Sequence, residues 1–211
     1  MELIFATNNK NKVKEVQSLL PETLQLITLS EAGIDAEIPE PFETLEENAH
    51  TKIETILRLS YRTNGFSEDS GLFIPALQGR PGVHSAHYAG PQRSDADNIQ
   101  MVLSEMRKQA NRSAYFQTTI CLIWNGETHF FTGTCPGTIE MAPRGSGGFG
   151  YDPIFRPDGS SSTFGEMDLV EKNRYSHRKK AVHLLIEFLR EAEKKIIMES
   201  NPPIPLSDLI K

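Results

Sequence analysis

The chain has 211 residues, of which 38% are hydrophobic and 24% charged, a composition typical of a globular protein. Its net charge of −6 disfavours a nucleic-acid polymer as partner, and the lack of any apolar run of about 18 residues excludes a membrane-spanning helix. It has two cysteines, Cys121 and Cys135, and no secretory leader at its start, so we expect a cytoplasmic protein without a disulfide framework.

Short apolar segments alternate with polar loops in the first third of the chain, which predicts alternating strands and helices. The predicted elements are the strand Glu2–Ala6, a helix from Lys12 to Leu20, the strand Leu24–Leu29, and a helix that begins at the capping box of Thr44 and Glu47 and ends near Gly65.

Two adjacent acids, Glu68 and Asp69, lie between apolar segments. Successive strand side chains point to opposite faces, so both acids can share one site only where the strand gives way to a turn, and Gly71 predicts that turn. Carboxylates at a strand end bind a hard divalent cation or take a proton from water, which indicates a catalytic centre. The competing interpretation is an Asp-Ser-Gly turn whose carboxylate satisfies local N–H groups.

The second half predicts a helix, a hairpin and a final long helix. The predicted elements are a helix capped by Ser94, the strands Tyr115–Trp124 and Glu127–Thr134 joined by Asn125-Gly126, a strand at Thr138–Ala142, and a helix from Ser176 past Leu189. Since the hairpin is antiparallel and helices intervene elsewhere, we expect an α/β fold with a mixed sheet.

Four further segments carry side chains suited to a phosphorylated ligand. The loop that opens the first helix favours anions, and Glu40, held between two prolines, is a candidate Mg²⁺ ligand. Phe149 and Tyr151, in a glycine-rich loop, can stack on a planar base, while Asp152 can read a ring N–H. Lys172, His177 and Arg178 offer donors to carbonyl or phosphate oxygens. Each segment alone also fits a plain polar connection, a solvated helix face or a packed glycine-rich hairpin.

Taken in order, these segments resemble one family, the inosine/xanthosine triphosphate pyrophosphatases. The motifs that carry the resemblance are Ala6–Lys12, Glu40, Thr44–Lys52, Asp69–Leu72, Gly79–Gly90, Gly148–Phe155 and Ser176–Arg178. The resemblance runs from Leu3 to the final helix.

The resemblance implies an elongated, two-lobed α/β fold with a long twisted mixed sheet flanked by helices and an active site in the cleft between the lobes. It implies one domain over residues 1–196, followed by an irregular proline-containing tail at 197–211. The implied activity is Mg²⁺-dependent hydrolysis of the purine nucleoside triphosphates XTP, dITP and ITP to monophosphate and pyrophosphate, by a homodimer that clears non-standard purines from the nucleotide pool.

The resemblance also assigns roles to residues. Asp69 is the implied catalytic base, and Glu40 and Asp69 are the implied metal ligands. The implied substrate-binding residues are Thr7, Asn8, Asn9, Lys10, Asn11, Lys12, Ser70, Phe149, Gly150, Tyr151, Asp152, Lys172, His177 and Arg178.

Three positions depart from the family pattern: Glu68 stands where a second aspartate is usual, Pro75 where an acid is common, and His87 where an arginine is usual. Because the implied base, metal ligands and base-reading turn are present, we expect an active enzyme. Two alternatives remain open, a related pyrophosphatase with a different base preference and a catalytically inactive nucleotide-binding module.

Overall fold

A computed structural model describes residues 1–36 and 38–200 of the chain, with side chains up to residue 195. The strands are β1 (Glu2–Phe5), β2 (Gln25–Thr28), β3 (Gly65–Phe73), β4 (Pro81–Gly82), β5 (Ser113–Trp124), β6 (Glu127–Ile139) and β7 (Phe155–Pro157). The α-helices are α1 (Lys10–Gln17), α2 (Leu45–Ser60), α3 (Asp95–Glu105), α4 (Leu169–Lys172) and α5 (His177–Ser200). None of the helices in the described ranges combines the length and the apolar character that crossing a membrane requires.

The described strands form one mixed sheet in the order β2-β1-β3-β5-β6-β7, with β4 beside β3. Strand β1 runs parallel to β2 and β3, whereas the pairs β3–β5, β5–β6 and β6–β7 are antiparallel. The parallel pairs need crossover connections, which α1 and α2 supply, whereas β5 and β6 need only a hairpin. This arrangement confirms the predicted α/β fold with a mixed sheet flanked by helices.

Side-chain alternation along β1 divides the core at the parallel end between the two faces of the sheet. Leu3 and Phe5 pack with α1 and α5, while Ile4 packs with α2. A third apolar cluster lies toward the other end, where α3 and β7 cover Leu72 and Phe116. The cleft that holds the candidate site opens between these two ends of the sheet.

Several sequence signals act as predicted. The Thr44 and Ser94 side chains accept hydrogen bonds from the first turns of α2 and α3. Asn125 and Gly126 both have positive φ, 50° and 84°, as a tight hairpin turn between β5 and β6 requires. Helix α5 begins at His177, where Ser176 Oγ accepts the N–H of Lys179.

Four predicted boundaries were wrong. Helix α2 ends at Ser60 rather than near Gly65, which already begins β3. Helix α1 spans Lys10–Gln17 and so begins two residues before the predicted start, because Asn9 caps it. The strand predicted at Thr138–Ala142 is not separate, since β6 stays paired with β5 through Pro136 and ends at Ile139. Residues 197–200 of the predicted irregular tail are helical, and residues 201–211 lie outside the described part of the chain.

The turn predicted at Gly71 was also wrong. Strand β3 continues through Gly71 to Phe73, paired with β5 along its whole length. A glycine is required there because a Cβ would lie 2.4 Å from the carbonyl oxygen of Gly82, in the neighbouring strand β4. Glu68 and Asp69 therefore remain on opposite faces of a continuous strand, and each acid has its own set of partners.

Candidate active site

A cavity of about 310 Å³ lies in the cleft between the two ends of the sheet. Of the site residues predicted from the sequence, it is bordered by Thr7, Asn8, Asn9, Lys12, Glu40, Asp69, Ser70, Phe149, Gly150, Tyr151, Asp152, Lys172, His177 and Arg178. Lys10 and Asn11 are exposed in the first turn of α1 and are not part of this lining. The chain thus brings most of the predicted residues to one place, although they come from six separate segments.

Two carboxylates in the cavity lining converge on one cation, Lys52. Lys52 Nζ lies 2.5 Å from Glu40 Oε1 and 3.1 Å from Asp69 Oδ1. Asn48, one turn before Lys52 on α2, donates to Asp69 Oδ2 at 3.4 Å. Sequence reasoning assigned no role to Lys52 or Asn48, although both share the buried helix face with Ala49 and Ile53, where polar side chains need partners.

The environment gives the two carboxylates opposite pKa shifts. Burial raises the pKa of Asp69, an effect that Lys52 opposes and Glu40 reinforces. Burial acts in the same direction on Glu40, but the Lys52 ammonium and its hydrogen bond, together with Lys12 and Arg93, lower the pKa of Glu40 overall. The two shifts favour proton uptake at Asp69 and ionisation of Glu40, which suits Asp69 to the role of general base.

Glu68 points away from this pair and joins two cations on the other face of β3. Arg178 Nε donates to both of its carboxylate oxygens, at 3.0 and 2.9 Å, and Lys12 Nζ lies 3.3 Å from Oε1. Burial alone would raise the pKa of Glu68, but Arg178 and Lys12 lower it to about 2. Glu68 consequently stays ionised and orients Arg178, whose Nη2 also donates to Ser70 Oγ at 3.3 Å.

Glu15 is the site residue that sequence reasoning missed most completely. It is buried, and its two oxygens accept from Lys172 Nζ at 2.8 Å and from Arg178 Nη1. Lys172 also donates to Asp152 at 2.6 Å. Glu15 lies on the same face of α1 as Lys12 and Val16, and that spacing was the available signal that an acid pointed inward.

Another part of the cavity wall carries an aromatic ring beside two cations. Lys172 Nζ lies 5.0 Å from the centre of the Phe149 ring, and the Arg178 guanidinium carbon lies 5.6 Å from it. Tyr151 was expected to offer a second stacking ring, but its ring belongs to the apolar core and its hydroxyl donates to Ser85 O at 2.8 Å. Asp152 was expected to read a base, yet its Oδ2 accepts from Lys172 and from the Phe149 N–H.

His177 is buried beneath the cavity with a nitrogen that lacks a partner among the described residues. Its ring stacks on Phe116, with ring centres 4.8 Å apart, and its Nδ1 has no hydrogen bond. Burial lowers the pKa of His177 well below its usual range, and the nearby Arg178 and Lys172 charges add to this. A neutral imidazole offers one donor and one acceptor, so the buried Nδ1 keeps an unused hydrogen-bonding capacity next to the cavity.

None of the three unusual positions, Glu68, Pro75 and His87, is among the described residues that line the cavity. Pro75 begins a short 3₁₀ turn directly after β3. The His87 ring packs edge-on against His84, with ring centres 5.4 Å apart, and His84 lies 3.5 Å from Glu43. Both substitutions therefore change the surroundings of the site rather than its lining.

Comparisons with known proteins agree with this geometry. Residues 3–188 match the sequence profile of the Ham1 family. The chain is 46% identical over 190 residues to a dITP/XTP pyrophosphatase of Flavobacterium psychrophilum, covering 90% of this chain and 100% of the relative. It is 41% identical to the dITP/XTP pyrophosphatase of Bacillus subtilis, covering 89% and 96%.

Solved structures give the same result. The Ham1 protein of Staphylococcus aureus superposes with a TM-score of 0.82 at 35% identity, covering 91% of this chain and 100% of that structure. A HAM1 protein of Coxiella burnetii superposes with a TM-score of 0.80 at 36% identity, covering 90% and 99%.

Proposed function

This chain belongs to the Ham1 family, and we propose that it hydrolyses the non-standard purine nucleoside triphosphates XTP, dITP and ITP to the nucleoside monophosphate and pyrophosphate. The observation that carries the proposal is a cavity lined by two chemically different groups of side chains. One group is the convergent carboxylates Glu40 and Asp69, and the other is Phe149, His177 and Arg178. The carboxylates suit a metal-bound triphosphate, and the Phe149 ring suits a planar base.

We further propose that Mg²⁺ is the cofactor and that Glu40 and Asp69 hold it. Both carboxylates already contact one ammonium group, Lys52 Nζ, which shows that their oxygens converge on one cationic position. The described residues contain no cluster of three or more His, Cys, Asp or Glu side chains suited to a metal, so substrate phosphates would complete the coordination. When bound, Mg²⁺ supplies positive charge that stabilises the triphosphate and the pyrophosphate leaving group.

The protein side chains then divide the reaction between them. Asp69 accepts the proton of the water that attacks the α-phosphate, and its raised pKa favours that step. Lys12, held by Glu68 at the cavity wall, neutralises phosphate charge. Phe149 stacks on the purine and excludes water from one of its faces.

Selectivity for a 6-keto purine would come from donors at the start of α5. The start of this helix is formed by Ser176, His177 and Arg178, and side-chain donors at this place suit a carbonyl oxygen. An adenine amino group at the same position would leave such donors unpaired, and the free-energy cost of the unpaired donors discriminates against adenine. We propose that the enzyme acts in the cytoplasm, where thiols such as the free, buried Cys121 and Cys135 stay reduced, and that it forms a homodimer, as the resemblance to its family implies.

A substrate panel tests this function. Pyrophosphate and orthophosphate release from XTP, dITP, ITP, dATP, dGTP and dTTP is measured with and without Mg²⁺, and again after EDTA. We expect Mg²⁺-dependent pyrophosphate release from the first three substrates and none from dATP or dTTP. Because guanine also has a 6-keto group, the turnover of dGTP tests whether the site carries a second check at the purine 2-position. Equal turnover of dATP and dITP would contradict 6-keto selectivity, preferred turnover of dTTP would support a pyrimidine pyrophosphatase, and ITP binding without turnover would identify a binding module.

A further inference from the structure

The loop that carries Phe149 is anchored on both sides of that residue by carboxylates. The N–H of Phe149 donates to Asp152 Oδ2 at 2.9 Å, and the N–H of Gly150 donates to Asp95 Oδ2 at 2.7 Å. These two N–H groups belong to the peptide units directly before and after the Phe149 Cα. Their two bonds therefore fix the plane of both peptide units and the direction in which the ring projects.

The loop needs such anchors because its sequence does not impose one conformation. Gly148 and Gly150 have positive φ, 71° and 60°, and glycine loses more backbone freedom on ordering than any other residue. The Asp152 anchor is local, three residues from Phe149, and moves with the loop. The Asp95 anchor comes from α3, 55 residues away in sequence, and ties the loop to a different element.

Helix α3 is a firm base for that second anchor. Ile99, Val102 and Met106 pack into the apolar core at its far side. Asn98, one turn after Asp95, accepts the N–H of Ala89 at 2.7 Å and donates to neighbouring carbonyl groups. A side chain held on a packed helix positions a ligand group more accurately than one held on a free loop.

We propose that Asp95 is a positioning residue that holds Phe149 over the purine base through the N–H of Gly150. Asp95 borders the cavity itself, so the bond lies beside the space where the base would stack. This inference rests on the proposed function, because it requires that Phe149 stacks on a planar base. The anchor acts on the base and not on the phosphates, so its loss should weaken binding of the base more than it slows the chemical step.

Substitutions at Asp95 separate the hydrogen bond from the charge and from the fold. Asp95→Ala and Asp95→Ser remove the acceptor or make it too short, whereas Asp95→Asn keeps an oxygen that can accept the same N–H. Asp97→Ala is the matched control, since Asp97 lies in the same helical turn and, among the described residues, its carboxylate accepts only from the Gln92 amide, at 3.4 Å. Having two truncations keeps the test usable if one of them folds poorly.

Steady-state kinetics with XTP provide the first measurement. We expect Asp95→Ala and Asp95→Ser to raise KM about tenfold with kcat within about threefold, as expected for loss of one hydrogen bond. Asp95→Asn and Asp97→Ala should stay within about twofold of the wild type. A KM increase below about twofold for both truncations, or an equal increase in Asp95→Asn, would overturn the proposal.

A double substitution asks whether Asp95 acts through Phe149. In a Phe149→Ala background, Asp95→Ala should add almost no further increase in KM, because the ring that it positions is gone. Independent effects that multiply would show that Asp95 acts elsewhere, and the proposal would fail.

Amide hydrogen exchange at Gly150 tests the anchor without any substrate. We expect exchange to be at least about tenfold faster in Asp95→Ala than in the wild type and unchanged in Asp97→Ala. If the wild type hydrolyses no purine triphosphate but this exchange difference holds, the proposed function fails while the anchor stands. Unchanged exchange in Asp95→Ala would refute the anchor itself.

Discussion

Replacing Glu68 with glutamine should destabilise the protein strongly. The Glu68 side chain is fully buried, and it is the shared anion of Arg178 and Lys12. Glutamine keeps the size of the side chain but leaves the positive charge of a buried guanidinium less compensated. Arg178 retains Glu15 as a second partner, so the loss should lie at the lower end of the range of about 3–5 kcal/mol for breaking a buried ion pair.

The pKa of Glu68 gives an independent magnitude for the stability that its ion pairs contribute. A lowering from the ordinary value of 4.5 to about 2 means that the folded state stabilises the charged form. A change of this size corresponds to about 3 kcal/mol of folding stability at neutral pH. Because the folded pKa is depressed, this stability is present above about pH 4.5 and is lost as the pH falls toward 2. At pH 3 roughly half of it should remain.

Urea unfolding followed by the fluorescence of Trp124, the single tryptophan, measures both effects without metal or nucleotide. We expect the free energy of unfolding of Glu68→Gln to be about 3 kcal/mol lower than that of the wild type at pH 7, which corresponds to a melting temperature lower by about 6–12 °C. At pH 3 this gap between the two proteins should be about half as large. Glu54→Gln is the control, because its pair with Arg58 is exposed and should contribute less than about 0.5 kcal/mol. A gap below about 1 kcal/mol at pH 7, or one that does not narrow at pH 3, would refute this reasoning.

Three other changes test separate parts of the molecule. Asp69→Asn should lower pyrophosphate release by about 10²–10⁴-fold while ITP still binds, and a residual rate above a tenth of the wild type would exclude Asp69 as the base. Phe149→Ala should weaken IMP binding by about 1–3 kcal/mol in calorimetry and leave the affinity for inorganic tripolyphosphate unchanged, whereas equal losses for both ligands would argue against stacking. Thr44→Ala should remove the cap of α2 and cost about 1 kcal/mol, or about 2–4 °C of melting temperature, and an unaltered melting curve would show that the cap is dispensable.

Local signals explain which parts of the fold the sequence predicted well. The cap at Thr44 and the hairpin at Asn125-Gly126 depend on residues within a few positions of one another, so their outcome is fixed locally. The prediction at Gly71 was wrong because glycine is selected for two different physical reasons, a turn or a close approach of backbone. Gly71 was interpreted as a turn, whereas β4 passes too close to it for any side chain. Which strand lies beside Gly71 depends on tertiary pairing, which the local sequence does not reveal.

In the candidate site, too, the sequence revealed some residues and the tertiary structure revealed others. The motifs identified Asp69, Phe149, His177 and Arg178 as a set, and the structure places all four around one cavity. Glu15 escaped notice because its partners Lys172 and Arg178 lie 157 and 163 positions away from it in the sequence. A buried acid is recognised by the cation that compensates it, and no local pattern reveals a cation so distant.

The sequence by itself determined the family, the mixed α/β class and the acids and donors available for catalysis, because these depend on residue types and their order. Only the tertiary structure decided how the acids divide. Strand alternation sends Asp69 toward Lys52 and Glu40, and Glu68 toward Arg178 and Lys12, on the other face of β3. The adjacent acids therefore have different surroundings and opposite pKa shifts, since the pKa of each is set by the charges that the fold brings to it.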